Sequence, residues 1–156
     1  MMIQLTSDVL RCLEGKTLST AERCTGGGIG AELTAIPGSS KVYKGGIISY
    51  TDWVKEHILG VDKTILAQFG AVSEPVAKAM AEGVRQRLKT DIAVSITGLA
   101  GPGGDDWNNL IGTVFIGYCD ENVSFVKKFC FSGDREMVRN EGIRSALQII
   151  LEENQY

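Results

Sequence analysis

Apolar positions follow helical spacing at the start and end of the chain and run almost without interruption through a segment near its middle. At the start, Ile3, Leu5, Val9, Leu10 and Leu13 fall mostly three to four residues apart, which predicts a helix over 3–13 closed by Gly15. Lys16 to Ala21 reads as a short strand, and Gly26-Gly27-Gly28 as a turn into a helix reaching about Ile36. Pro37-Gly38-Ser39-Ser40 is a loop, and Gly45 to Thr51, carrying Ile47, Ile48 and Tyr50, a second strand. Three helices follow, from Asp52 to Gly60, from Asp62 to Gly70, and a longer one with Ser73 as N-cap. Glu74 and Pro75 suit the first turn of that third helix, and its Val76, Met80, Val84 and Leu88 form a face to bury.

The segment Asp91-Ile92-Ala93-Val94-Ser95-Ile96-Thr97 has the continuous apolar character of a strand covered on both faces. A glycine-rich loop, Gly98 to Asn109, comes next. Gly112 to Cys119 and Val123 to Phe131 then flank Asp120-Glu121-Asn122, a predicted antiparallel hairpin. The last helix runs from about Asp134 through Met137, Ile143, Leu147 and Ile150 to the C-terminus. Helices and strands alternate early and a hairpin comes late, an order that predicts a mixed β-sheet between helical layers: a three-layer α/β/α sandwich.

Composition narrows the function classes. The chain has 156 residues, 44% hydrophobic and 22% charged, which suits one folded domain over 1–156 and excludes disorder. Sixteen Lys and Arg against nineteen Asp and Glu leave a net charge of −3 with no basic stripe, which argues against a nucleic-acid partner. No apolar run reaches the roughly 20 residues of a membrane span, and Met1 to Asp8 lacks the character of a signal peptide. The expectation is a cytoplasmic protein without a membrane partner. Cys12, Cys24, Cys119 and Cys130 contain no CxxC pair, and His57 is the single histidine, so no metal site is expected. In Trp53-Val54-Lys55-Glu56-His57-Ile58 that histidine reads as a partly exposed helix residue, so an enzyme built on this chain would need another base.

Three polar, glycine-rich segments fall where strands should end. In Thr20-Ala21-Glu22-Arg23-Cys24-Thr25-Gly26-Gly27-Gly28, a strand turning on glycines into a helix either presents free N–H groups to an anion or simply packs tightly. It lacks the Gly-Lys-Ser/Thr ending of a P-loop. Ser39-Ser40, Ser49-Tyr50-Thr51-Asp52 and Lys55 offer hydroxyls, a phenol and an amine. They converge if the loop and the helix start share one sheet edge; otherwise Asp52 is a cap and Lys55 a solvated lysine. Thr97-Gly98-Leu99-Ala100-Gly101-Pro102-Gly103-Gly104 follows a buried strand, where α/β folds bind ligands and where glycines let a ligand approach the backbone.

Taken in order, these segments resemble the CinA C-terminal domain family, whose stand-alone members include nicotinamide mononucleotide (NMN) deamidases. The family motif Thr-Ala-Glu-Ser-Cys-Thr-Gly-Gly is similar to Thr20 to Gly27. The resemblance continues through Ile36-Pro37-Gly38-Ser39-Ser40, Tyr50, Lys55, Leu59-Gly60-Val61, Gly70-Ala71-Val72-Ser73-Glu74, Ala81-Glu82-Gly83, Thr97 to Gly104, Gly112-Thr113-Val114, Phe131 to Arg135 and Val138-Arg139. Larger family members carry an additional N-terminal domain, which 156 residues are too few to hold. The resemblance implies a hydrolase that converts NMN to nicotinate mononucleotide and ammonia, by a serine–lysine mechanism without metal or cofactor. It makes Lys55 the base, Tyr50 its neighbour, and Ser40 and Thr25 hydroxyls of the site. Arg23, Gly26, Gly27, Ser39, Thr97, Gly98, Gly101 and Gly103 are the implied substrate-binding positions. It also implies a homo-oligomer.

One position departs from the motif: the family serine assigned as nucleophile is Arg23, and a guanidinium with a pKa above about 12 attacks nothing. Asp52 stands where the family often has asparagine, and Asn109-Leu110 where it often has Lys-Pro. Three readings follow. The chain is a deamidase whose nucleophile has moved to Ser40, Thr25 or Cys24. Or it is a silent relative that binds a pyridine nucleotide, with Arg23 on a phosphate or carboxylate. Or it is a partner-binding protein with an empty pocket.

Overall fold

The computed structural model describes residues 2–155. Its elements are α1 (Met2–Cys12), β1 (Leu18–Glu22), α2 (Gly28–Thr34), a 3-10 turn (Ser39–Lys41), β2 (Tyr43–Ile48), α3 (Asp52–His57), α4 (Lys63–Phe69), α5 (Glu74–Leu88), β3 (Ile92–Gly98), β4 (Thr113–Cys119), β5 (Ser124–Cys130) and α6 (Arg135–Asn154). The five strands form one sheet in the order β2-β1-β3-β4-β5. β2, β1 and β3 are parallel; β4 and β5 are antiparallel to their neighbours. Parallel neighbours need crossovers long enough to hold helices, and α2 joins β1 to β2 while α3, α4 and α5 join β2 to β3.

Burial follows position in the sheet. Every residue of β1, β3 and β4 is buried, whereas the edge strand β2 alternates between half-buried and exposed. One face packs Leu18, Ile92, Val94, Ile96 and Tyr118 against Val9, Leu10 and Leu13 of the first helical segment, Ile29 and Leu33 of α2, and Leu147 and Ile150 of α6. The other face packs Ala21, Ala93 and Cys119 against Val76, Met80 and Val84 of α5, with Leu59, Val61 and Leu66 behind them. The expected three-layer α/β/α sandwich with a mixed sheet is the observed architecture. Gly117 lets α5 lie close on the sheet, because a Cβ there would sit 2.7 Å from the Ala77 carbonyl oxygen. Ser95 uses the same approach to donate its hydroxyl to that oxygen at 2.6 Å.

Several expected boundaries move. The second strand begins at Tyr43 and ends at Ile48 rather than spanning Gly45 to Thr51. Its early start is fixed by the Tyr43 hydroxyl against Thr20 Oγ1 at 2.7 Å, and the register slips at its first step. Thr51 caps α3 by accepting from Val54 N, so residues 49–51 belong to the turn. Ser73 occupies the N-cap position of α5, but its hydroxyl donates backwards to Gly70 O at 2.8 Å. Leu88, expected on a buried face, lies 36% exposed in the last turn of its helix. Among the described residues no helix is long and apolar enough to cross a membrane.

Candidate functional site

Three parallel strands present their C-terminal ends together, which brings residue 23, residues 49–55 and residue 98 onward to one rim of the sheet. After β1 the backbone is held to β3 by Arg23 N donating to Ile96 O, then turns through Gly26 and Gly27 at φ +59° and +101°. Glu22, 2% exposed, fixes this turn from inside. Its Oε1 accepts from Thr25 Oγ1 at 2.5 Å and Ile29 N at 2.9 Å, and its Oε2 from Gly30 N at 3.1 Å. Arg139 of α6 grips the same turn from outside, donating from Nε to Cys24 O and from Nη2 to Thr25 O. Thr25 is therefore committed and buried, and the glycines shape the chain without lining the pocket described below.

Lys55 projects from α3 into the protein and is wholly buried. Its ammonium donates to Ser49 O at 2.7 Å. Burial, with the Arg23 guanidinium as a second cause, lowers its pKa from 10.5 to about 8, while Asp52 pulls the other way. The Ser49 hydroxyl beside it is buried and has no hydrogen-bond partner among the described residues. Arg23 lies between this lysine and the glycine loop. Its Nη1 donates to Gly98 O at 2.6 Å, its guanidinium carbon stands 5.8 Å from the centre of the Tyr50 ring, and its buried Nε has no acceptor. Arg135, at the start of α6, closes the far side, donating from Nη1 to Gly101 O at 2.8 Å and from Nη2 to the Tyr50 hydroxyl at 3.2 Å.

A cavity of about 240 Å³ is lined by Arg23, Cys24, Tyr50, residues 98–104 and Arg135, with Lys55 and Ser49 buried outside its lining. Its side-chain charges are cationic; no carboxylate lines it. A second cavity, at the opposite rim, holds Lys16, Arg85, Asp91, Asp120 and Glu121, and the carboxylates of Asp91 and Asp120 are tied to local backbone and hydroxyl donors there. Cys24 borders the first cavity with a thiol that is 5% exposed and pushed up to about 11 by burial, a poor nucleophile. His57 stacks on Trp53 at the exposed surface, centroids 4.4 Å apart. Among the described residues no group of three or more His, Cys, Asp and Glu could hold a metal ion.

The expected site thus divides. Lys55, Tyr50, Arg23, Gly98, Gly101 and Gly103 come together. Ser39 and Ser40 do not: they precede β2, and Ser49, which Lys55 holds, follows it. Six strand residues at about 3.3 Å each put Ser40 roughly 20 Å from the lysine within this chain. The Thr97 hydroxyl turns to the α5 side of the sheet and donates to Ala71 O at 2.7 Å, so it is structural too. Gly26 and Gly27 turn the chain away from the cavity. Sequence reading missed Arg135 and Arg139 as site residues. Their spacing of four at the start of a helix, one helical face, was the available signal.

A family model described as the CinA C-terminal domain matches residues 3–154. The chain is 47% identical over 149 residues to a CinA-like protein of Rippkaea orientalis, covering 94% of this chain and 36% of that one. It is 41% identical over 136 residues to a putative competence-damage inducible protein of Caldanaerobacter subterraneus, covering 87% of this chain and 33% of the relative. The chain therefore spans about a third of the length of these curated relatives. Crystal structures match it over nearly their full length. The competence damage-inducible protein A (ComA) of Klebsiella pneumoniae superposes with a TM-score of 0.95 at 34% identity, covering 97% of this chain and 96% of that one. The competence/damage inducible protein CihA of Agrobacterium tumefaciens gives 0.95 at 35%, covering 99% and 96%.

Proposed function

The chain belongs to the CinA C-terminal domain family, and from that premise we propose that it binds a pyridine nucleotide at the cationic cavity without cleaving the ligand's amide. One observation carries this reading: the cavity's lining presents no serine or threonine hydroxyl and no ionised thiol, and the one uncommitted hydroxyl beside Lys55, that of Ser49, is wholly buried and does not line the cavity. Position 23, where the motif resemblance implies a serine, is an arginine; Thr25 is bonded to Glu22, the Cys24 thiol is held protonated, and Ser40 lies at the other end of β2. What remains is a recognition site. Arg23 and Arg135 offer forked donors, the glycine loop offers close backbone approach, and Tyr50 supplies an aromatic face at the rim. Calorimetry with NMN and nicotinate mononucleotide tests binding; silence toward both would refute it. Ammonia released from NMN above the level of Lys55→Ala would refute the absence of hydrolysis.

A second reading, hydrolysis of NMN, draws on Lys55. An amine lowered to about 8 exchanges protons near neutral pH, as a base for a hydroxyl and an acid for departing ammonia must. That reading lacks an attacking hydroxyl on the cavity's lining, since Ser49 is buried away from it. Arg23→Ser supplies one, and amidase activity gained by this variant alone would mark the lysine and pocket as competent and the nucleophile as the missing part.

A further inference from the structure

The cavity's polar groups are unevenly divided between donors and acceptors. Arg23 commits one nitrogen, Nη1, to Gly98 O, and the edge carrying Nε and Nη2 meets no acceptor among the described residues. Four acceptors at or beside the cavity already face cations: Gly98 O takes Arg23, Gly101 O and the Tyr50 hydroxyl take Arg135, and Ser49 O takes Lys55. The ion pairs among the described residues, Arg11 with Asp8 and Lys127 with Glu152, both lie elsewhere. Arg23, Arg135 and Lys55 thus converge with no carboxylate in salt-bridge contact, in a chain whose net charge is −3.

A carboxamide and a carboxylate of the same shape fare differently here. The amide brings one accepting oxygen and an NH2 that must donate; the carboxylate only accepts. An NH2 turned toward carbonyls already bonded to guanidinium or ammonium meets positive potential, and one turned toward Arg23 meets another donor. A carboxylate at Arg23 Nη2, which has no acceptor among the described residues, receives a charge-assisted bond that a neutral amide oxygen receives more weakly.

Resting on the reading that a pyridine nucleotide occupies this cavity, we propose that Arg23 makes the site selective for the nucleotide whose ring carries a carboxylate over the one whose ring carries a carboxamide. The chain then takes the acid form, the product side of an amide hydrolysis, as its ligand. The reaction that must supply this ligand is one that generates a pyridine carboxylate nucleotide.

The test is titration calorimetry of the intact chain with nicotinate mononucleotide and with NMN as probes, repeated on Arg23→Gln and Arg23→Lys after thermal unfolding has verified their fold. In the unmodified chain the acid binds at least about tenfold more tightly, from the greater strength of hydrogen bonds to a charged group. Arg23→Gln removes that preference, and Arg23→Lys, a point charge without a fork, retains only part of it. Equal affinities in the unmodified chain, or tighter binding of the amide, overturn the selectivity and leave the nucleotide reading standing. Failure of both probes to bind overturns both. A preference that survives intact in folded Arg23→Gln shows that another group makes the choice and overturns the assignment to Arg23.

Discussion

Glu22 and Lys55 are both ionisable side chains buried at the same rim, and they do opposite work. The carboxylate of Glu22 accepts three hydrogen bonds, two of them from the first backbone N–H groups around α2, so its burial is compensated. It fixes the turn that carries Arg23, and through that turn the direction of the guanidinium. Glu22→Gln replaces one accepting oxygen by an NH2 that faces Gly30 N–H, donor against donor. We expect a stability loss of about 2 kcal/mol in urea denaturation, from one broken charge-assisted bond and one stranded amide. A loss within error of zero would mean that the turn is held by Arg139 alone. Lys55 has one protein acceptor and a neighbouring guanidinium, and its lowered pKa records that deficit.

At the level of elements, the site depends on where α6 begins. Asp134 accepts from Met137 N at 2.9 Å and sets the first turn, which places Arg135 over the glycine loop and Arg139 against the β1–α2 turn, on one face. Asp134→Ala should lower stability by about 1 kcal/mol, the ordinary cost of an N-cap, and weaken nucleotide binding by loosening Arg135. A variant that loses the stability but keeps full affinity would show that tertiary contacts alone hold the arginine. Most of this architecture was legible in the chain. The apolar run 92–96, interrupted only by Ser95, marked a central strand, the four-residue rhythm of α5 marked its buried face, and glycine turns marked the rim. That the segment carrying Lys55 and the loop 98–104 meet at one rim was legible for the same reason, since loops after parallel strands share a rim. Ser39, Ser40 and Thr97 lie apart from this cavity within the chain, because proximity in sequence to a motif does not tell which end of a strand, or which face, a hydroxyl occupies. The end of β2 was misread because Thr51 looks β-prone alone yet serves as a cap. Arg135 stayed hidden because its partners are a carbonyl and a phenol that only the fold brings near.

For the molecule as a whole, the buried lysine and the buried thiols shape the dependence of stability on pH with opposite signs. Below about pH 8 Lys55 is protonated in both the folded and the unfolded chain, and the fold bears the full cost of enclosing the ammonium. Between about 8 and the ordinary value of 10.5 the unfolded chain keeps a proton that the folded chain has released. Stability therefore rises with pH through that window, by up to about 1.4 kcal/mol per pH unit, and levels off above it. Cys24 and Cys119, raised from 9.0 to about 11, act in reverse: the folded chain keeps protons that the unfolded chain releases, and stability falls across that interval. Tyr118, also raised by burial, adds to the fall above 10. The total is a poor readout of the lysine, so the comparison must be a difference. Lys55→Met keeps the buried stem and removes the titration. Its stability relative to the unmodified chain should be most favourable at about pH 7 and should decline by more than 1 kcal/mol by about pH 10, as read from urea midpoints at matched salt. A difference that stays level across that range would mean that the amine titrates at its ordinary value in the fold, which would remove the physical basis for a base at position 55 and leave Arg23 and Arg135 as the site's only unusual charges.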